Sequence, residues 1–282
     1  MAAEESKREV ILAENLGFCY GVKRAIQLAR DCASPKRDAF TLGPIIHNPQ
    51  MVARLDEEGV GTIDTLDELK KGTVIVRSHG VGPSVYDEIK EKGLNMVDAT
   101  CPHVRKAQLA AHALSGENYQ VIIIGEKRHP EVKSILEWAG DKAIAVETEE
   151  EATEVGRFGK IGVVAQTTFS GDKFKKIVNV LLDKSPEVKI IRTICTATDM
   201  RQEAAVKLAD EVDVMIVIGG KNSANTTRLA QLCAEKKCVT YHIETADEVR
   251  EEWFDKSKKI GITAGASTPD WIIKEVYVKC QK

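Results

Sequence analysis

The chain has 282 residues, 43% of them hydrophobic and 29% charged, and its 40 Lys and Arg against 43 Asp and Glu leave a net charge of -3. That length and apolar content support a substantial buried core, and the balanced charge excludes the basic surface that nucleic acid or an anionic membrane would require. No apolar run approaches the roughly 18 residues of a membrane span, and Met1 to Arg8 holds no apolar signal stretch, so a cytoplasmic protein is expected, with seven reduced cysteines rather than a disulfide framework.

From the N-terminus onward, short runs rich in Val and Ile alternate with helical patterns. Strands are predicted at 10–13, 72–76, 121–124, 160–165, 188–194, 212–218 and 259–263, and helices at 22–32, 104–114 and 200–210. Apolar strands of four to seven residues, separated by helices, indicate an α/β protein built on parallel sheets covered by helices. Gly and Pro fall singly at turns, and there is no low-complexity linker.

Three cysteines punctuate this order. Cys19, Cys101 and Cys195 each follow an apolar strand and precede a helix that opens with basic residues. The first two share a register, Cys19-Tyr-Gly-Val-Lys23-Arg24-Ala25 and Cys101-Pro-His-Val-Arg105-Lys106-Ala107; the third, Cys195-Thr-Ala-Thr-Asp-Met-Arg201-Gln-Glu-Ala204, is looser. Intervals of 82 and 94 residues suggest one α/β module used three times, over 19–100, 101–194 and 195–282, in a pseudo-threefold trefoil that directs the three sulfurs to one axis. Helix dipoles and nearby cations would favour the thiolates. A closed zinc site lacks a fourth cysteine in register, with His103 the weaker possible ligand. A catalytic zinc with three thiolates and a [4Fe-4S] cluster with one open iron both remain compatible. The other cysteines read as structural: Cys32 inside a helix, Cys233 and Cys238 around a charged stretch, and Cys280 near a terminus expected to fray.

The remaining chemically capable residues follow strands: His47, Ser78-His79, His129-Pro130-Glu131, Gln166-Thr167-Thr168, Ser223-Ala224-Asn225 and Ser267. Ligands bind outside the carboxyl ends of parallel strands. There is no phosphate-binding G-x-x-x-x-G-K-[ST], and Gly80-Val-Gly82-Pro-Ser does not make a dinucleotide fingerprint, so neither a nucleotide nor a flavin is implied. Small hydroxyls, an amide and imidazoles can hold phosphate oxygens, although Ser and Asn in such places also cap helices. His129-Pro130-Glu131 is the acid-base candidate, because Pro130 at the first helical position fixes the bend, and Thr167 could relay a proton to that carboxyl.

Together these segments resemble the hydroxymethylbutenyl diphosphate reductase family, which catalyses the last step of the methylerythritol phosphate route to isoprenoids. The resemblance rests on Gly17-Phe-Cys19 through Ala25, His47-Asn48, Ser78-His79-Gly80-Val81, Asp98-Ala-Thr-Cys101-Pro102, His129-Pro-Glu131, Gln166-Thr167-Thr168, Cys195 through Gln202, Asn222-Ser223-Ala224-Asn225 and Ala264-Gly-Ala-Ser267, in order along nearly the whole chain. It implies a [4Fe-4S] cluster on Cys19, Cys101 and Cys195, with an open iron for the substrate hydroxyl. It further implies an allylic diphosphate held by His47, His79, Ser223, Asn225 and Ser267 with His129 nearby, and proton delivery by Glu131 assisted by Thr167. The N-terminal strand, 8–18, would join the third module. Electrons would come from a ferredoxin or flavodoxin to a monomeric enzyme. Ala224 stands where many members carry a second serine, so only its backbone N–H would serve the diphosphate.

Overall fold

The computed structural model describes residues 8–221, 223–255 and 257–281. Chain contacts divide them into two compact units, one formed by Gly21–Cys195 and the other by the chain up to Tyr20 together with the chain from Thr196 onward. Each is α/β.

Strand β1 (Glu9–Leu12) precedes helix α1 (Tyr20–Asp31). The first sheet of the Gly21–Cys195 unit follows: β2 (Ala39–Leu42), α2 (Pro49–Glu57), β3 (Val60–Ile63), β4 (Thr73–Val76), α3 (Pro83–Glu91) and β5 (Asn95–Asp98), in the strand order β3-β2-β4-β5. After α4 (Pro102–Gly116) comes the second sheet, with β6 (Gln120–Ile124), α5 (Pro130–Ala139), β7 (Ile144–Val146), α6 (Glu149–Glu154), β8 (Lys160–Ala165), α7 (Gly171–Leu182) and β9 (Glu187–Ile190), in the order β7-β6-β8-β9. The other unit holds α8 (Thr196–Ala209), β10 (Val214–Ile218), α9 (Ala224–Ala234), β11 (Val239–Ile243), β12 (Lys259–Ala264) and α10 (Asp270–Cys280). Its sheet runs β11-β10-β12-β1. All pairings are parallel.

The three sheets therefore repeat one topology, in which the first strand lies between the second and the third and a fourth closes the far edge. In the third sheet β1, from the opposite end of the chain, takes the fourth place. Neighbouring first and third strands leave in opposite directions, and that divergence opens a crevice at their carboxyl ends.

Central strands are apolar because helices cover both faces. In the second sheet, alternate residues of β6 and β8 pack to opposite sides: Ile122, Ile124, Ile161 and Val163 meet Phe174 and Ile177, whereas Val121, Ile123 and Val164 meet Ala107, Ala111 and Ile135. Proline at the first position fixes the start of α2, α3, α4 and α5, where its missing N–H costs nothing.

The structure departs from the sequence reading in several places. Strands β2, β3, β5, β7 and β11 are short or carry exposed polar positions, which conceals the apolar signal. The run 188–194 stays in the sheet only to Ile190, after a last bond from Ile191 N–H to Val163 O, and then leaves toward Cys195. Cys32 lies just beyond the end of α1 rather than inside it. Cys280 is fully buried in the core beside Val276 and Ile272, not frayed. Among the described residues no helix is long and apolar enough to cross a membrane.

Candidate active site

Each cysteine sits on the connection from a fourth strand to the next helix: Cys101 after β5, Cys195 after β9 and Cys19 after β1. All three are half-buried. One backbone bond recurs in every sheet: Cys101 N–H donates to Ser78 O at 2.9 Å, Cys195 N–H to Thr167 O at 2.8 Å, and Cys19 N–H to Ala266 O at 3.2 Å. Ser78, Thr167 and Ala266 are each the second residue beyond a third strand. The looser third sequence copy thus keeps the register of the first two.

The arginines that follow each cysteine also brace the backbone. Arg24 donates to Thr100 O at 3.1 Å and Asp98 O at 3.4 Å, and Arg105 pairs with Asp98 at 2.5 Å. Both guanidinium groups thereby fix the turn that carries Cys101. Arg201 donates to Gly17 O at 2.9 Å and so holds the segment that leads to Cys19. His103 is exposed on the first turn of α4.

The first and third strands of each sheet deliver the polar groups. His47, His129 and Ser223 are each five residues beyond a first strand, and His79, Thr168 and Ser267 each three beyond a third. In the Gly21–Cys195 unit these positions converge. The His47, His79 and His129 rings have centroids 4.4, 5.2 and 5.5 Å apart, with one nitrogen from each inside a 4.8 Å group. The loop after β4 is fastened to α5 through Ser134 Oγ–H on His79 O (3.2 Å) and the Trp138 indole N–H on Val81 O (3.0 Å), which brings His79 to His129.

Burial and the Arg77 charge, joined at His79 and His129 by the neighbouring rings, keep the trio neutral: His47 below its ordinary value, His79 well below it, and His129 down at about 4. Glu131 N–H donates to His129 Nδ1 at 3.2 Å, so the neutral ring carries its proton on Nε2 as a donor. His47 Nε2 and His79 Nδ1 are buried without a partner among the described residues. Such unmet polar atoms cost about 1–3 kcal/mol each and mark a place for a ligand. Neutral rings can offer N–H donors to an anion, and His129 has its tautomer fixed as such a donor through Nε2.

Glu131 is only 2% exposed. Thr167 N–H donates to its Oε1 at 2.6 Å and Thr167 Oγ–H to its Oε2 at 3.0 Å. Burial outweighs those two bonds and raises the carboxyl to about 7, with Glu126 adding repulsion. A carboxyl poised near neutrality and bonded to a hydroxyl is suited to general acid chemistry. Cys195 N–H bonds the carbonyl of the same Thr167, so in this unit the acid and one sulfur share an anchor.

In the other unit, Ser223 caps α9 by accepting Thr226 N–H at 3.4 Å, and Asn225, 7% exposed, has both side-chain polar atoms buried without a partner among the described residues. Ser267 is half-buried, next to the carbonyl that receives Cys19 N–H. Asn222 and the side chain of Ala224 lie outside the described residues. Arg77 was missed in the sequence, although a charge directly after the apolar Thr73–Val76 was a legible signal.

Residues 10–281 match the family model described as LytB protein. The 4-hydroxy-3-methylbut-2-enyl diphosphate reductase of Geobacter metallireducens is 51% identical over 274 residues, covering 97% of each chain. That of Trichlorobacter lovleyi is 50% identical over 95% of this chain and 96% of its own. A solved (E)-4-hydroxy-3-methyl-but-2-enyl diphosphate reductase, the terminal enzyme of the non-mevalonate pathway, superposes with a TM-score of 0.76 at 48% identity, covering 97% of this chain and 99% of that one. The E-1-hydroxy-2-methyl-but-2-enyl-4-diphosphate reductase of Plasmodium falciparum gives 0.89 at 30% identity, over 95% and 86%. This chain belongs to the LytB protein family.

Proposed function

We propose that the chain reduces 4-hydroxy-3-methylbut-2-enyl diphosphate to isopentenyl and dimethylallyl diphosphate. The observation that carries this reading is the buried Glu131–Thr167 pair next to three neutral imidazoles: a proton source beside an anion site, within a family whose relatives carry that reductase name.

A [4Fe-4S] cluster fits the donor set of Cys19, Cys101 and Cys195. A side chain at Gly21 would collide with the Cys101 sulfur, so the second residue of α1 is the one that leaves that sulfur room. Three thiolates leave one iron without a protein ligand. When bound, the cluster supplies single electrons and the Lewis acidity of the open iron.

The chain's own residues do the rest. His47, His79 and His129 hold the diphosphate. Ser223, the Ala224 N–H, Asn225 and Ser267 also serve it, and the unmet polar atoms of Asn225 favour a ligand. The net reaction consumes two electrons and two protons: the C4–O bond breaks, the hydroxyl leaves as water, and the second proton ends on the allylic carbon. Glu131, close to half-protonated at neutral pH, passes protons through Thr167 Oγ, and the Thr167 N–H then stabilises the resulting carboxylate. Electrons arrive one at a time from a ferredoxin- or flavodoxin-type carrier. The enzyme acts as a cytoplasmic monomer of three modules, 19–100, 101–194 and 195–282, the last completed by the N-terminal strand within 8–18.

Anaerobic purification and turnover test this reading. A brown, iron-containing protein should convert the hydroxymethylbutenyl diphosphate when supplied with a reduced mediator. A colourless zinc-loaded protein, or an intact iron protein that forms neither product, would overturn it.

A further inference from the structure

The two sheets of the Gly21–Cys195 unit differ at one equivalent position. Arg77 is the first residue after β4 and Gln166 the first after β8, and each lies over the glycine that follows the neighbouring first strand. A Cβ on Gly43 would stand 2.7 Å from Arg77 Nη1, and one on Gly125 2.7 Å from the Gln166 Cβ. Gln166 spends its amide inside the fold, with Oε1 accepting Glu126 N–H at 2.9 Å and Nε2 donating to Thr168 Oγ at 3.0 Å. Arg77 has no such use. Among the described residues its side chain takes part in no hydrogen bond or ion pair, and its Nε is buried.

A half-buried guanidinium whose Nε is buried and which has no counter-charge among the described residues is costly unless an anion compensates it. The imidazole trio next to it can donate hydrogen bonds but carries no charge of its own, and all three rings feel Arg77. We infer that Arg77 is a positioning residue that supplies the formal positive charge holding the diphosphate on His47, His79 and His129. This rests on the reading of the trio as the diphosphate site. Gln166 occupies the equivalent place as an internal control: there the side chain braces the loops and needs no ligand.

The test is calorimetric titration of inorganic diphosphate into the reconstituted enzyme at two ionic strengths, with KM and kcat measured alongside. Arg77→Gln installs the residue found after β8, and Arg77→Met gives a second neutral variant, so a folding defect in one does not decide the outcome. Affinity should fall about tenfold or more, with the loss on KM rather than kcat. The salt dependence should become shallower with one charge removed, and Arg77→Lys should restore most of the binding. Wild-type affinity and salt dependence in a folded neutral variant would overturn the inference. His79→Ala, run in parallel, separates the two levels: if it loses affinity while Arg77→Gln does not, only the role of Arg77 fails. If His79→Ala binds as tightly as the wild type, the reading of the trio itself fails.

Discussion

The second and third sheets have the same strand order and the same register of loops, yet they carry different chemistry. Five residues beyond the first strand, one places His129 and the other Ser223, and both accept a hydrogen bond from an N–H of the following helix. Three beyond the third strand, one places Thr168 and the other Ser267. The carboxyl is where they part. Two residues past His129 stands Glu131, driven to about 7 by burial, whereas two past Ser223 stands the neutral Asn225 with both polar atoms unmet. On the proposed reading, one scaffold thus serves proton transfer in one copy and anion binding in another. The backbone fixes where a side chain emerges, and its chemistry is then free to change.

The largest effect expected on this contrast comes from making the acid resemble the amide. Glu131→Gln should lower turnover by about 10²–10⁴-fold, the usual contribution of general acid catalysis, while inorganic diphosphate binds as before. Steady-state rates and calorimetry check this, and near-normal turnover would remove the role assigned to the carboxyl.

The pH dependence of stability sharpens the same point. Glu131 has a raised value when folded, so the native state binds more protons than the unfolded chain between pH 4.5 and about 7, and its burial costs progressively more as pH rises through that window. His129, lowered to about 4, works the other way and costs stability as pH falls below 6.5. Glu131→Gln should therefore gain on the wild type between pH 5 and pH 8, by about 3 kcal/mol at one pKa step per 1.4 kcal/mol. Denaturant unfolding at both pH values measures the difference, and a constant offset would contradict the buried, proton-holding carboxyl.

A smaller effect is expected in the third sheet. Ser223→Ala removes the cap of α9, a loss of about 1 kcal/mol, and a hydroxyl from the proposed diphosphate set. Thermal unfolding should register the cap and calorimetry a modest loss of affinity. Unchanged diphosphate binding would reduce Ser223 to a helix cap.

Much of this was legible in the chain. The Val- and Ile-rich runs at 121–124, 160–165 and 259–263 marked central strands, since burial on both faces leaves no room for polar positions. Edge strands such as β5, with Asn95 and Met96 exposed, gave no comparable signal. Cys280 looked terminal in sequence but is buried by packing beside Val276, and the arginines after Cys19 and Cys101 also fix the Asp98 turn, which no local pattern revealed.

The sequence by itself determined the α/β class, the three cysteines before three helices and the set of polar residues at strand ends, because these follow from local periodicity and chain order. The family resemblance implied that the N-terminal strand joins the C-terminal module, but only the tertiary structure decided that β1 pairs with β12, that one backbone bond ties each cysteine to a third-strand loop, and that Arg77 stands without a counter-charge among the described residues beside three imidazoles. Each of these depends on pairing or burial between residues far apart in the chain, which no local pattern encodes.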